Sequence, residues 1–354
     1  MAGAKSGAEK FYSIHPHLRR RWGKVGRKMG FDAKSVPALS RWRGQLRRRL
    51  KELLGYNTMQ RAPLRPKIVD EIQCDGYTRQ KVHIQTEPGV IMPMYVLIPD
   101  AASPPYSAVL CPHGHCAGGK IAVAGVRDNP EISQLIDEFN YDYGVQFARA
   151  GYIAFCPDAR GFGERREESQ RDNLIMSSCT EINNMAIPLG QTVTGMWTWD
   201  LHRLIDYVQG RRDCRKGGVG CAGLSGGGLQ TLYASALDER IRCAVISGYF
   251  YGVLESLVDL YINCSCNYVP HLWEYVDMGD IGALIAPRPL LIETGTKDEL
   301  NGASGVKNVK SQLRIARKAY RILGAGSRLA HDVFEAGHQW HGTEAIPWMK
   351  KWLV

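Results

Sequence analysis

The apolar positions of the chain change period near residue 66, and this change divides the sequence into two parts. Before it, apolar side chains recur at steps of three and four residues, with basic residues between them. That spacing predicts an amphipathic helix whose apolar stripe is buried against another element. We expect residues 1–60 to form a basic helical extension that docks on the rest of the chain, with its arginines facing outward. The stripe comprises Ala38, Leu39, Trp42, Leu46, Leu50, Leu53 and Leu54, and the basic residues between them are Arg41, Arg47, Arg48 and Lys51.

From residue 66 the pattern changes to short strand-like stretches. Residues 66–100 predict an antiparallel meander, and beyond them strands alternate with amphipathic helices. Such alternation is typical of an α/β domain with a mostly parallel sheet and helices on both faces, which we assign to residues 61–354. The predicted strands of this part are SAVLCPHG, YIAFCPDARG, GGVGCAGLS, IRCAVISG, PRPLLIETG and RLAHDVFEA.

Length and composition fit one large core. The chain has 354 residues, 44% of them hydrophobic. It contains no stretch of about 18 apolar residues and no apolar segment after the first basic residues. We therefore expect no membrane association, no export signal and a cytoplasmic location.

The net charge of +10 is concentrated in the extension, where residues 1–56 hold 15 Lys and Arg against three Asp and Glu. A basic segment of this kind can bind nucleic acid or anionic lipid. A solvated helix face explains it more simply, so nucleic acid is not expected as a partner. A docked helix could also pack on a neighbouring subunit, which leaves a homo-oligomer open.

The ten cysteines include no C-x-x-C pair. Those within predicted strands are expected to be reduced, small core residues. Cys264 and Cys266 form an isolated C-x-C pair, but the sequence identifies no further ligands for a metal ion. We therefore predict no metal and no cofactor.

Ser225 lies in GCAGLSGGG, where a predicted strand turns directly into a predicted helix. This is the context of a nucleophile elbow. Gly223 and Gly227 flank the serine at minus two and plus two, where side chains would collide in so tight a turn. Ser225 is the predicted nucleophile, and the Gly226 N–H lies where an oxyanion donor is needed.

A serine hydroxyl needs a base, and the base needs a group that orients it. In the α/β-hydrolase arrangement an acid and then a histidine follow the serine along the chain. Asp298 and His338 each come just after a predicted strand and are the favoured partners. The competing residues are Glu293 and Glu299 for the acid and His331 and His341 for the base.

The loop CPHGHCAGG follows the first parallel strand and is expected to supply the second oxyanion donor. We favour the backbone N–H of His115, with that of Cys116 as the alternative. His113 is expected to brace the loop.

The strand ends and loops HGHCAGG, PDARGFGER, GLSGGG, APRPLLIETGTKD and FEAGHQWHG resemble the acetyl xylan esterase and dienelactone hydrolase-like branch of the α/β-hydrolase superfamily. The resemblance runs from about residue 66 to the C-terminus. It implies an α/β-hydrolase fold, the triad Ser225–Asp298–His338, and metal-free hydrolysis of short-chain carboxylic esters, some carried by sugars. The nucleophile is serine, unlike the cysteine of true dienelactone hydrolases, so that particular chemistry is not expected.

Aromatic residues are frequent between residues 249 and 280, where they could line a substrate pocket or form the packed core of a cap. We take Tyr268, Trp273 and Trp340 as pocket candidates. Arg160 and Arg165 could bind a substrate carboxylate, but we favour pairing with internal acids.

The leading hypothesis is a serine esterase that works through an acyl-enzyme on a small ester, with an acetyl ester favoured. A peptidase related to prolyl oligopeptidase is the alternative, although about 60 extra residues cannot supply the large gating domain of those enzymes. A non-catalytic binding protein that uses the basic segment is the third hypothesis.

Overall fold

The computed structural model describes residues 11–115 and 118–353. The strands are β1 Lys67–Cys74, β2 Tyr77–Glu87, β3 Val90–Pro99, β4 Ala108–Leu110, β5 Ile153–Pro157, β6 Val219–Leu224, β7 Ile241–Ser247, β8 Leu290–Gly295 and β9 Leu329–Phe334. The helices are α1 His15–Val25, α2 Val36–Leu53, α3 Lys120–Val123, α4 Pro130–Phe139, α5 Tyr143–Arg149, α6 Cys179–Ala186, α7 Val193–Gly210, α8 Gly226–Leu237, α9 Leu272–Tyr275, α10 Met278–Ala283, α11 Val306–Ile322 and α12 Ala345–Trp352.

The strands form one nine-stranded sheet in the order β1-β2-β3-β5-β4-β6-β7-β8-β9. The first three strands are the predicted antiparallel meander, and β3 pairs antiparallel with β5. From β5 to β9 every pairing is parallel. The α/β prediction is thus confirmed, and the carboxyl ends of β4, β6, β8 and β9 lie at one edge of the sheet.

Helices cover both faces of the sheet because the buried parallel strands are apolar on both sides. Ala244 and Ile246 of β7 pack in the same cluster as residues of α8 and α11. Cys243 and Val245, at the alternate positions, pack with residues of α5 and α12 on the opposite face. The turn that follows each strand is therefore held between two packed layers.

The basic extension docks on this domain, as its apolar stripe predicts. Four residues of α2 are buried in the cluster that contains α8 and α10: Leu39, Trp42, Leu46 and Leu50. The expectation that the arginines face outward is wrong for Arg47, whose guanidinium donates to the carbonyls of Ala236 and Leu284 at 3.0 and 3.4 Å. Carbonyl groups at the end of a helix have no N–H donor within that helix. The guanidinium of Arg47 donates to two of them instead.

None of the described helices has the length and apolar character that crossing a bilayer requires.

Candidate active site

Ser225 occupies a strained turn between β6 and α8. Its backbone has φ +59° and ψ −120°, a conformation that residues with a side chain rarely adopt. A Cβ at Gly223 would lie 2.5 Å from the backbone carbon of Gly227, so the two arms of the turn leave no room for a side chain there. The Ser225 N–H donates to the carbonyl of Ser247 at 2.9 Å, which ties the turn to β7. These features are the ones that the nucleophile-elbow prediction requires.

Asp298 and His338 lie in contact beyond the ends of β8 and β9. The Nδ1 atom of His338 lies 2.8 Å from Oδ2 of Asp298. The carboxylate is 1% exposed, and its Oδ1 accepts from the Leu300 N–H at 2.9 Å. The carboxylate of Asp298 therefore makes two hydrogen bonds, and the one to His338 fixes the orientation of the imidazole. The Nε2 atom of His338 is buried and has no hydrogen-bond partner among the described residues.

The imidazole of His338 and the turn at Ser225 converge on Gly248, the residue after β7. A Cβ at Gly248 would lie 2.9 Å from Cε1 of His338 and 3.2 Å from Cδ1 of Leu224, which directly precedes the serine. Gly248 has φ +60°, so both its conformation and its surroundings favour glycine. The absence of a side chain there lets the histidine approach the turn.

The competing residues have other partners. His341 pairs with Asp332 at 2.6 Å, and Nε2 of His331 lies 3.0 Å from Oγ1 of Thr294. Glu299 is exposed. The structure therefore brings only His338, of these three histidines, against Asp298.

Glu293 has a different position from Asp298, inside β8. Burial raises its pKa to about 7. Its Oε1 accepts from the Gly342 N–H at 3.0 Å, which ties the loop after His338 to the central sheet. Glu293 therefore supports the loop, and the described residues include no hydrogen bond between its carboxyl group and the imidazole of His338.

The loop after β4 lies against the serine turn. A Cβ at Gly114 would lie 2.9 Å from the Cβ of Ser225, and one at Gly226 would lie 2.8 Å from Nδ1 of His115. The Cα of Gly114, at 3.4 Å from that same Cβ position, and the imidazole of His115 therefore lie beside Gly226, whose N–H the sequence predicts as an oxyanion donor. The alternative donor, Cys116, lies outside the described residues.

His113 braces this loop, as predicted. Its Nε2 accepts from the Ala159 N–H at 3.0 Å, and its Nδ1 lies 2.7 Å from the Gly114 carbonyl. Nδ1 therefore carries the proton and donates. Burial lowers the pKa of His113 to about 4, so the ring is neutral at neutral pH.

The arginines of the loop after β5 are paired internally, also as predicted. Arg160 binds both oxygens of Asp200 and reaches Glu87 at 2.7 Å, while Arg165 binds Asp200 at 2.8 Å. Burial alone would raise the pKa of Asp200, but the two guanidinium groups outweigh it and the pKa is lowered. Arg160 and Arg165 therefore form internal ion pairs that stabilise the fold.

The pocket prediction is wrong for Trp340. Its side chain is 1% exposed and stacks on Tyr143 at 4.8 Å between ring centroids, with Phe147 also in contact. It belongs to the apolar layer beneath α5, because the chain turns inward after His338.

Tyr268 and Trp273 do line a cavity of about 580 Å³, formed between α1 and residues 257–274, but none of Ser225, Asp298 and His338 lines it.

Most of the aromatic segment between residues 249 and 280 forms the packed core of a cap. The sequence allows this arrangement as the alternative to a pocket lining. Tyr249, Phe250 and Tyr251 are 5%, 1% and 1% exposed. The hydroxyl of Tyr249 donates to Oδ1 of Asn267 at 2.7 Å and anchors the segment that carries Cys264 and Cys266.

Cys264 and Cys266 have neighbours that sequence spacing could not reveal. Sγ atoms of Cys179, Cys264 and Cys266 and a ring nitrogen of His115 all lie within 4.8 Å of one another. The Nε2 atom of His115 is 3.4 Å from Sγ of Cys266. This donor set, which could hold a metal ion, lies next to the loop that contacts Gly226.

Comparisons with known proteins agree with this architecture. A family model described as "Abhydrolase family" matches residues 24–326. A curated relative, "Putative hydrolase YtaP" of Bacillus subtilis (strain 168), is 30% identical over 273 residues, which cover 74% of this chain and 83% of that protein.

Solved structures show the same fold at low identity. One from Bacteroides fragilis NCTC 9343, described as a "putative acetyl xylan esterase", matches with a TM-score of 0.78 at 18% identity and covers 98% of this chain and 96% of that chain. A glucuronoyl esterase from Solibacter usitatus matches with a TM-score of 0.67 at 16% identity and covers 98% of both chains.

Proposed function

Because the chain belongs to the Abhydrolase family, we propose that Ser225, His338 and Asp298 form a catalytic triad that hydrolyses carboxylic esters. The observation that carries the proposal is the buried Asp298–His338 bond of 2.8 Å, with Nε2 of His338 beside the serine turn and without a hydrogen-bond partner among the residues that the structure describes. A general base needs one nitrogen held and the other available for the nucleophile.

In the acylation step, Nε2 of His338 takes the proton of the Ser225 hydroxyl as its oxygen attacks the ester carbonyl. The backbone N–H groups of Gly226 and His115 stabilise the oxyanion that forms. The imidazolium then gives its proton to the departing alcohol, which leaves an acyl-serine. Asp298 stabilises the imidazolium and keeps the proton of the neutral ring on Nδ1.

In the deacylation step, His338 takes a proton from water, and the hydroxide attacks the acyl-serine carbonyl. Collapse of the second intermediate releases the carboxylic acid and returns the proton to the Ser225 oxygen. Apart from the ester and water, every group that these steps use is a side chain or a backbone amide of this chain.

The substrate that we propose is a short-chain ester, namely an acetyl ester on a carbohydrate. Relatives in this fold are described as acetyl xylan esterases and as glucuronoyl esterases. In a glucuronoyl ester the acyl group is the sugar acid itself, whereas in an acetyl ester it is the small acetyl group. Arg160 and Arg165 are held by Asp200 and Glu87, so neither of these two guanidinium groups is free to bind a substrate carboxylate. We favour the acetyl ester because the solved structure with a TM-score of 0.78 is described as a "putative acetyl xylan esterase".

The test is hydrolysis of 4-nitrophenyl acetate and acetylated xylo-oligosaccharides by Ser225→Ala and His338→Ala, with His341→Ala as the matched control. We expect Ser225→Ala to lose turnover on the order of 10⁶-fold. His341→Ala should retain it, because His341 pairs with Asp332. Ser225→Ala with a tenth of the parent activity would overturn the proposal. An aminoacyl nitroanilide added to the panel distinguishes a peptidase, which would prefer the anilide.

A further inference from the structure

We propose that His115, Cys179, Cys264 and Cys266 bind one zinc ion that fastens the loop after β4 to α6 and to the cap. The four donors come from three separate parts of the chain and converge on one point. This inference does not depend on the esterase proposal, because metal binding is measured without turnover.

The donor spacing fits a tetrahedral ion. Zn–S and Zn–N bonds of about 2.3 and 2.0–2.1 Å at tetrahedral angles put S···S pairs about 3.8 Å apart and S···N pairs about 3.5 Å apart. The structure has Nε2 of His115 at 3.4 Å from Sγ of Cys266, and all four donor atoms lie within 4.8 Å of one another. Three thiolates and one imidazole are a donor set that selects zinc over the hard cations calcium and magnesium.

The elements that carry the cysteines are fastened to each other by polar side chains. Asn183 of α6 donates to the carbonyl of Ser265 at 2.8 Å, which holds the helix that begins at Cys179 against the C-x-C segment. Asn267 donates to the carbonyl of Cys264 at 3.0 Å and lies 3.6 Å from Sγ of Cys266. An N–H directed at a thiolate sulfur is a typical support of a metal ligand.

Two buried aromatic rings pack against the imidazole of the cluster. The rings of Phe162 and Trp197 lie 5.3 and 6.4 Å from that of His115, and both are at most 2% exposed. Cys179 and Cys266 are also buried. Four protein ligands would close the coordination sphere, so the ion would be structural, with no position for substrate.

Zinc on Nε2 also settles the state of His115. A neutral imidazole that binds a metal through Nε2 carries its proton on Nδ1. The Nδ1 edge of this ring faces Gly226. The ion would therefore hold the ring in one tautomer and fix the adjacent backbone against the start of α8.

The first test is metal content. The full chain, purified in reductant without chelator, is analysed by inductively coupled plasma mass spectrometry together with Cys264→Ser, Cys266→Ser and a matched control, Cys74→Ser. Cys74 is half-buried at the end of β1 and is not part of the cluster. We expect about one zinc per chain in the parent and in Cys74→Ser, and a loss of most of it in the other two variants.

The second test does not need a variant to fold. Chelator-treated parent protein, kept reduced, is titrated with Co²⁺ and then with Zn²⁺. A tetrahedral thiolate site gives intense visible bands and a thiolate-to-cobalt charge-transfer band that saturate at one equivalent and disappear when zinc displaces cobalt. Failure of the reduced protein to take up either ion would overturn the proposal. So would equal loss of zinc from Cys74→Ser, or a metal-free protein in which peptide mapping finds a disulfide between two of the three cysteines.

Discussion

Nδ1 of His338 lies 2.8 Å from Oδ2 of Asp298, and the carboxylate involved is almost fully buried. Little water competes for the carboxylate, so the hydrogen bond determines which nitrogen of the ring carries the proton. The adjacent acid, Glu299, is exposed and belongs to a short helical turn that begins after Asp298.

Replacing Asp298 by Asn should therefore disable the base without unfolding the protein. The amide keeps the volume of the carboxylate but can hold the ring in the wrong tautomer, which costs about 10⁴-fold in kcat in a serine triad. Glu299→Gln is the matched control and should keep kcat within about twofold, since surface changes away from special contacts have small effects. Equal kcat for Asp298→Asn and the parent would show that another group orients His338.

Lys120 is predicted to be a major contributor to stability. Its ammonium is 1% exposed and binds Asp158 at 2.6 Å and Glu164 at 2.5 Å. Lys120→Met would leave the buried Asp158 without its cation, and we expect the free energy of unfolding to fall by about 3–5 kcal/mol in urea. Lys297→Met, which removes an exposed pair with Glu335, should change it by less than about 1 kcal/mol. Similar losses in both variants would contradict this assignment.

Glu293 should make stability decrease as the pH rises. Burial raises its pKa to about 7, whereas an unfolded glutamate titrates near 4.3, as in model peptides. The folded state therefore holds an extra proton between these values, and this contribution is fully present below pH of about 4 and lost as the pH rises through 7.

The glutamine of Glu293→Gln cannot ionise, so the variant should not show this loss of unfolding free energy as the pH rises. Relative to the parent, the variant should gain roughly 3 kcal/mol of unfolding free energy between pH 4.5 and pH 8, measured by urea unfolding at both values. Glu335→Gln, at an exposed position, serves as the control. Parallel pH profiles for parent and Glu293→Gln would show that the buried carboxyl does not titrate in this range.

The docked extension should contribute to the stability of the whole domain. Leu46 is fully buried against residues of α8 and α10, and truncation of such a leucine to alanine costs about 2–5 kcal/mol. We expect Leu46→Ala to lower the thermal midpoint in a single transition, and Arg41→Ala, on the exposed side of the same helix, to leave it unchanged. A separate low-temperature transition in Leu46→Ala would show that α2 unfolds independently.

Sequence patterns predicted the parallel sheet and the order of its strands along the chain, because buried strands and amphipathic helices differ in local period. They did not predict α4, although Asn129 caps its first turn and Ile132 and Ile136 form its buried side. The placement of Ser225, Asp298 and His338 followed from the rule that chemistry lies at the carboxyl ends of parallel strands. His113 and the two paired arginines were also interpreted correctly.

The errors concern contacts between residues that are far apart in sequence. Trp340 was expected in the pocket because of its neighbour His338, yet Tyr143 and Phe147 enclose it. Arg47 was expected in solvent, yet the carbonyls that it binds belong to residues near 236 and 284. The spacing of apolar residues along a segment does not show which distant residues that segment contacts. The same reason explains why Cys179 and His115 were not connected with the C-x-C pair.

The arginines of α2 have a consequence for how this chain can be shortened. Arg43 and Arg47 donate to three main-chain oxygens on the loops and helix ends beneath them, those of Ala236, Leu284 and Ala286. A recombinant fragment that started at the first strand would leave these oxygens without those donors. It would also expose the apolar side chains of α8 that α2 covers. Such a fragment should be poorly soluble, and a usable truncation would have to begin before α2.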